Sequence, residues 1–131
     1  PDQVSLQTIQ AWLAAKPLAG RDLMEKNQAY IFFRIVEGDG PIGAQGVPLT
    51  PGRSLAVDRK HIPLGIPIWL ATTEPGKAKK PLRRPVIAQD TGSAIKGPVR
   101  GDLFVGYGSQ ASAVAGRMKQ RGGYYLLLPK K

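Results

Sequence analysis

The stretch Val86-Ile-Ala-Gln-Asp90-Thr-Gly-Ser-Ala-Ile-Lys-Gly-Pro-Val-Arg-Gly-Asp102-Leu-Phe-Val-Gly-Tyr-Gly108 decides how the chain is read. An apolar run ending in Asp90-Thr91-Gly92 predicts a buried strand that stops where the backbone turns sharply, which leaves a carboxylate at a sheet edge facing a cleft. Asp102 mirrors it, opening the next short apolar run after a glycine-rich connection. The chain has nine acidic residues against nineteen basic ones, so two carboxylates brought together stand out as candidates for chemistry. The competing reading is that both are turn caps, since aspartate favours such places by bonding nearby backbone N–H groups.

Working outward, 131 residues make one domain's worth of chain, enough to bury roughly two-thirds of the unfolded surface without staples. There is no cysteine, which excludes disulfides and thiolate metal sites, and a single histidine leaves no ligand cluster. No metal and no cofactor is therefore expected. The net charge of +10 predicts polyanionic surroundings, for which nucleic acid, an anionic membrane and bacterial cell wall all qualify. The basic excursion from Glu74 to Arg84 has no aromatic residues interleaved to stack on bases, so nucleic acid is not expected as a partner. No apolar run reaches the length of a membrane span. The start at Pro1 leads us to expect that this is one part of a longer protein, with any targeting segment elsewhere.

Ser5 to Lys16 predicts a helix with Ser5 as N-cap, Trp12 in its core face and Pro17 as its stop, and Gly20 to Lys26 a second, short one. Strands are predicted over Tyr30–Val36, Ser54–Asp58, Ile66–Ala71, the run ending at Asp90, the run after Asp102, and Tyr124–Leu128. Pro41 to Arg53 reads as an irregular ordered loop with Gln45 reaching the cleft, Glu74 to Arg84 as a solvated loop, and Ser109 to Arg121 as a late helix. His61 beside Ile62-Pro63-Leu64-Gly65 is expected to be a turn residue. Six short strands favour a small closed barrel, which leaves no unpaired edge. Residues 1–27 form a helical lead-in expected to pack on a partner domain absent from this chain, and residues 28–131 the barrel.

Asp90-Thr91-Gly92 is also the tripeptide of dimeric aspartic proteases, but that reading leaves Asp58 and Asp102 without a role. A broader match takes in Tyr30-Ile-Phe-Phe-Arg34, Gly43 to Asp58, Ile62-Pro-Leu-Gly65, Ala88 to Gly97, Arg100-Gly-Asp102 and Gly106-Tyr-Gly108 leading into Ala115-Gly-Arg-Met118. Through these the chain resembles the three-aspartate catalytic domain of the membrane-bound lytic transglycosylase A family. The resemblance implies a mainly β, six-stranded double-psi β-barrel of the barwin and expansin kind. It also implies cleavage of peptidoglycan between N-acetylmuramic acid and N-acetylglucosamine with formation of 1,6-anhydromuramic ends. It implies Asp102 as the acid/base, with Asp90 and Asp58 as the family's other two aspartates, and no metal. Lys96, Arg100, Gln45 and Tyr107 are the expected substrate contacts. The implied setting is periplasmic, beside peptidoglycan glycan strands, with a lipid anchor to the outer membrane and a second domain both outside this chain. A non-catalytic wall-binding module of the expansin kind would share the fold and is the third reading.

Overall fold

In the computed structural model, residues 4–29, 32, 35–75 and 77–130 are described. They fall into two compact units, one up to Ile35 and one from Val36 to the end.

The first unit is a helix pair. Helix α1 (Leu6–Ala15) is capped by Ser5, whose Oγ accepts from the Thr8 backbone N–H while the Thr8 hydroxyl accepts from the Ser5 N–H, a reciprocal capping box. Helix α2 (Pro17–Glu25) follows at once. Pro17, expected only to end the first helix, also begins the second, because the first helical turn needs no N–H from it. Trp12, expected in a core, is 39% exposed and carries the Lys16 ammonium 5.8 Å above its ring.

The second unit is built on one sheet with strand order β4-β1-β3-β2-β5. Its strands are β1 (Ser54–Val57), β2 (Pro67–Glu74), β3 (Lys77–Asp90), β4 (Gly101–Leu103) and β5 (Gly123–Leu126). A single late helix, α3 (Gly108–Ala115), stops at Gly116, short of the expected Arg121, where glycine weakens the helix interior. Five strands are found among the described residues, and the outer strands β4 and β5 do not pair with each other, so the sheet is open where a closed six-stranded barrel was expected. The strand expected over Tyr30–Val36 lies mostly outside the described residues, and Phe32, Ile35 and Val36 are not in a strand.

The basic segment expected to be a loop is strand. Thr73 pairs with Pro81 and Trp69 with Pro85 in the antiparallel β2–β3 ladder. Two prolines are tolerated because β3 gains its second neighbour, β1, only from Ile87 onward, so at both prolines it is still an edge with no second partner to need the missing N–H. The core is Leu55, Val57, Ile62, Ile68, Leu70, Val86 and Ala88, all under 8% exposed, with Leu103 and Tyr124 packed against it. All three inner strands contribute to it: Leu55 and Val57 from β1, Ile68 and Leu70 from β2, Val86 and Ala88 from β3. No helix among the described residues is long and apolar enough to cross a membrane.

Candidate active site

Strand β1 runs parallel to β3 with Ser54 opposite Ile87, Leu55 opposite Ala88 and Ala56 opposite Asp90. One residue of β3, Gln89, is skipped. In a regular ladder Ala56 would face Gln89, and because side chains alternate with a period of two, Asp90 would point to the other face of the sheet. The bulge re-aims it. On its other side Ala56 pairs with Asp102 of the antiparallel β4. Asp90, Ala56 and Asp102 thus form one row across three strands, with the two aspartate Cα atoms about 10 Å apart over two strand spacings. The alanine between them is small, and a cavity of about 260 Å³ opens there, lined by both aspartates together with Ser54, Thr91, Ile95 and Phe104.

Each end of the row is held differently. At the bulge, the Gln89 carbonyl accepts from the Gln45 N–H at 3.0 Å and its side-chain oxygen accepts from the Ser54 hydroxyl at 2.6 Å. The next residue, Asp90, accepts through Oδ1 from the Ala44 N–H at 3.0 Å. The loop can come this close because residue 43 is glycine: a Cβ there would lie 2.5 Å from the Gln89 carbonyl oxygen. Asp102 has a half-exposed side chain, and its Oδ1 accepts from both Nε and Nη2 of Arg100, each at 3.0 Å.

Asp58 is placed apart from this row, one residue past the end of β1 and only 6% exposed. Its two oxygens accept from backbone N–H groups, Oδ2 from Gly97 at 2.8 Å and Oδ1 from Lys60 at 3.0 Å. The Gly97 bond first, then the Lys60 bond, with smaller help from the positive charges of His61 and Lys96, hold its carboxyl below the ordinary aspartate range against the opposing effect of burial. This geometry suits a tie between β1 and the glycine-rich connection rather than proton transfer. His61 is exposed in the turn and its N–H donates to the Asp58 carbonyl.

Of the expected substrate contacts, Arg100 touches Asp102, and Lys96 lines a second cavity of about 500 Å³ next to Asp58. Gln45 and Tyr107 line neither cavity; Gln45 contributes its backbone N–H to Gln89, and Tyr107 is the exposed residue at the start of α3. Sequence reasoning missed Ala44, Ser54 and Gln89 as the supports of Asp90. The only signal for them was the Gly43-Ala44-Gln45-Gly46 pattern, which marks a close backbone approach without saying to what.

Known proteins resemble the chain in sequence and in fold. Residues 53–128 match the 3D domain family, and residues 1–34 match the MltA specific insert domain. The membrane-bound lytic murein transglycosylase A of Vibrio cholerae is 33% identical over 92% of this chain and 34% of its own length. The crystal structure of MltA from Neisseria gonorrhoeae superposes with a TM-score of 0.84 at 46% identity, covering 95% of this chain and 32% of that one. The structure of Escherichia coli MltA with bound chitohexaose gives 0.80 at 30% identity, covering 93% and 38%. The chain spans about a third of the length of these relatives. Asp90-Thr91-Gly92 falls inside the 3D match, so the tripeptide does not mark an aspartic protease. With three aspartates in the matched segment and that match covering more than half of its length, the chain belongs to the 3D domain family, in the form found in membrane-bound lytic murein transglycosylase A.

Proposed function

We propose that this chain is the catalytic part of a lytic transglycosylase that cleaves the β-1,4 bond between N-acetylmuramic acid and N-acetylglucosamine in peptidoglycan. The observation that carries the reading is the row Asp90–Ala56–Asp102 over a single cavity, with Asp58 occupied elsewhere. The chitohexaose bound by the Escherichia coli relative supports a polysaccharide as the ligand.

Asp102 is the acid/base. It is the accessible carboxylate, with Arg100 fixing one oxygen and leaving the other free for a proton. As the acid it protonates the bridging oxygen and the glycosidic bond breaks; as the resulting carboxylate it takes the proton from the muramic acid 6-hydroxyl, whose oxygen closes on C1. The proton returns to Asp102 and no water is consumed, so one carboxylate serves where a hydrolase needs two. Asp90, clamped by Ala44, is assigned to orient the sugar, and Asp58 to hold the connection that delivers Asp102. Gln45 and Tyr107 remain assigned to outer contacts with the glycan.

Around this core we place the finer features of the family: a double-psi barrel fold, a lead-in over residues 1–27 that packs on a second domain, and a periplasmic site with a lipid anchor outside these residues. The test is a digest of purified sacculi in ¹⁸O-water. Unlabelled 1,6-anhydromuramic ends, lighter by one water, are expected. Labelled reducing ends would replace the assignment with hydrolysis, and binding without product would leave a wall-binding module.

A further inference from the structure

The larger cavity, about 500 Å³, is unused by the chemistry above. It adjoins the acid cavity, since Thr91 and Ile95 line both. Three exposed cations, Arg59, Lys60 and Lys96, border it, and Thr91 and Ser93 add hydroxyl donors. Among the described residues these three side chains form no salt bridge. The one acidic residue in the lining, Asp58, accepts from the Gly97 and Lys60 N–H groups and feels the charge of Lys96, so it offsets one of the three positive charges and leaves an excess of two. The cavity therefore presents an excess of positive charge with its hydrogen-bond donors unspent, which is the chemistry that recognises carboxylates.

We infer that this cavity binds the carboxylate-bearing peptide stem of the muramyl sugar being cleaved. The inference rests on the transglycosylase reading and deepens it. A bond broken beside a muramyl residue puts that residue's stem within about one sugar of the acid, and only the muramyl side of the bond carries an anionic branch. A basic cavity sharing a wall with the acid cavity is where that branch would lie. The volume is within the range of specific ligand sites, roughly 300–1,000 Å³. Stem binding would then set the register of the glycan, so that a muramyl and not a glucosaminyl C1 meets Asp102.

The experiment is equilibrium binding to this chain, followed by amide NMR shifts, with two soluble probes: a disaccharide-tetrapeptide and the same disaccharide without peptide. The peptide-bearing probe is expected to shift the amides of Thr91, Ser93 and Lys96, and the peptide-free probe to leave them in place. Arg59→Gln/Lys60→Gln/Lys96→Gln should weaken binding of the peptide-bearing probe by about tenfold or more, from three partly solvated ion pairs. Arg59→Lys/Lys60→Arg/Lys96→Arg, which keeps the charge, should stay within about twofold of the parent. Equal shifts from both probes, or unchanged binding by the glutamine variant, would overturn the inference. Displacement of the peptide-bearing probe by equimolar inorganic phosphate would also overturn it, in favour of a general anion site. Because the readout is binding and not turnover, a chain that binds the stem but releases no anhydro product would sink the transglycosylase reading and leave stem recognition standing.

Discussion

Gly43→Ala tests the proposition that a loop, and not the sheet, holds Asp90 in place. The added methyl would sit 2.5 Å from the Gln89 carbonyl oxygen and 2.5 Å from the Leu49 Cδ2. The leucine can change rotamer, at a cost of about 1 kcal/mol. The carbonyl belongs to the bulged strand and cannot rotate away, so the loop must retreat by about 0.9 Å to reach ordinary contact. That movement stretches the 3.0 Å bond from Gln45 N–H to Gln89 past hydrogen-bond range and pulls the Ala44 N–H off Asp90. Two such bonds at about 1 kcal/mol each, with the repacking of Leu49, give an expected loss of roughly 2–4 kcal/mol. Urea unfolding measures the loss, and hydrogen exchange at Ala44 and Gln45 reports whether the loop has detached. A loss under about 1 kcal/mol with both amides still protected would refute the reasoning.

Three further outcomes follow. Asp102→Asn should keep the urea midpoint of the parent and lose roughly 10²–10⁴-fold in release of anhydro products, and parent-like turnover would remove Asp102 from the mechanism. Asp58 has a folded pKa below its unfolded value, so its stabilisation is present above the unfolded pKa and fades as pH falls below about 3.8 through the folded pKa. Asp58→Asn should therefore be less stable than the parent at neutral pH, with the two stability curves converging in acid; parallel curves from pH 6 to pH 2 would show that the carboxylate is not linked to folding. Tyr124, whose phenol is pushed up by burial, has a hydroxyl with no hydrogen-bond partner among the described residues. Tyr124→Phe should be neutral or stabilise by up to about 1 kcal/mol in thermal unfolding, and a clear loss would reveal a partner for that hydroxyl.

What the residues made legible depended on how local the deciding physics was. The Ser5 cap, the apolar runs at Ser54 and Ile66, and the stop at Asp90 are decided within a few residues, and the observed elements begin or end at or within a residue of those points. The basic segment failed because charge and proline counted against a strand, while its pairing with β2 and its edge position, both long-range facts, decided otherwise. At the site, Asp90 and Asp102 were legible as sharing a cleft from their place at the ends of apolar runs. The skipped Gln89 was not, since nothing in Ala88-Gln89-Asp90 states which of them will face Ala56. Asp58 could be counted among three aspartates but not distinguished from the other two, because its partners are backbone groups, which any residue supplies.

The place of β1 between β3 and β4 has a consequence for the order of assembly. The β2–β3 pair is separated by only two residues of sequence and can form from neighbouring segments, as an antiparallel hairpin does. Strand β1 must then find β3 in parallel, and β4 must return to β1, each closing a long loop whose entropy is paid before any contact repays it. Both aspartates depend on those late pairings, so a partly folded chain holds a finished hairpin and no reactive centre. On the proposed function, the chain would in this way acquire its activity only in the final step of reaching its native state.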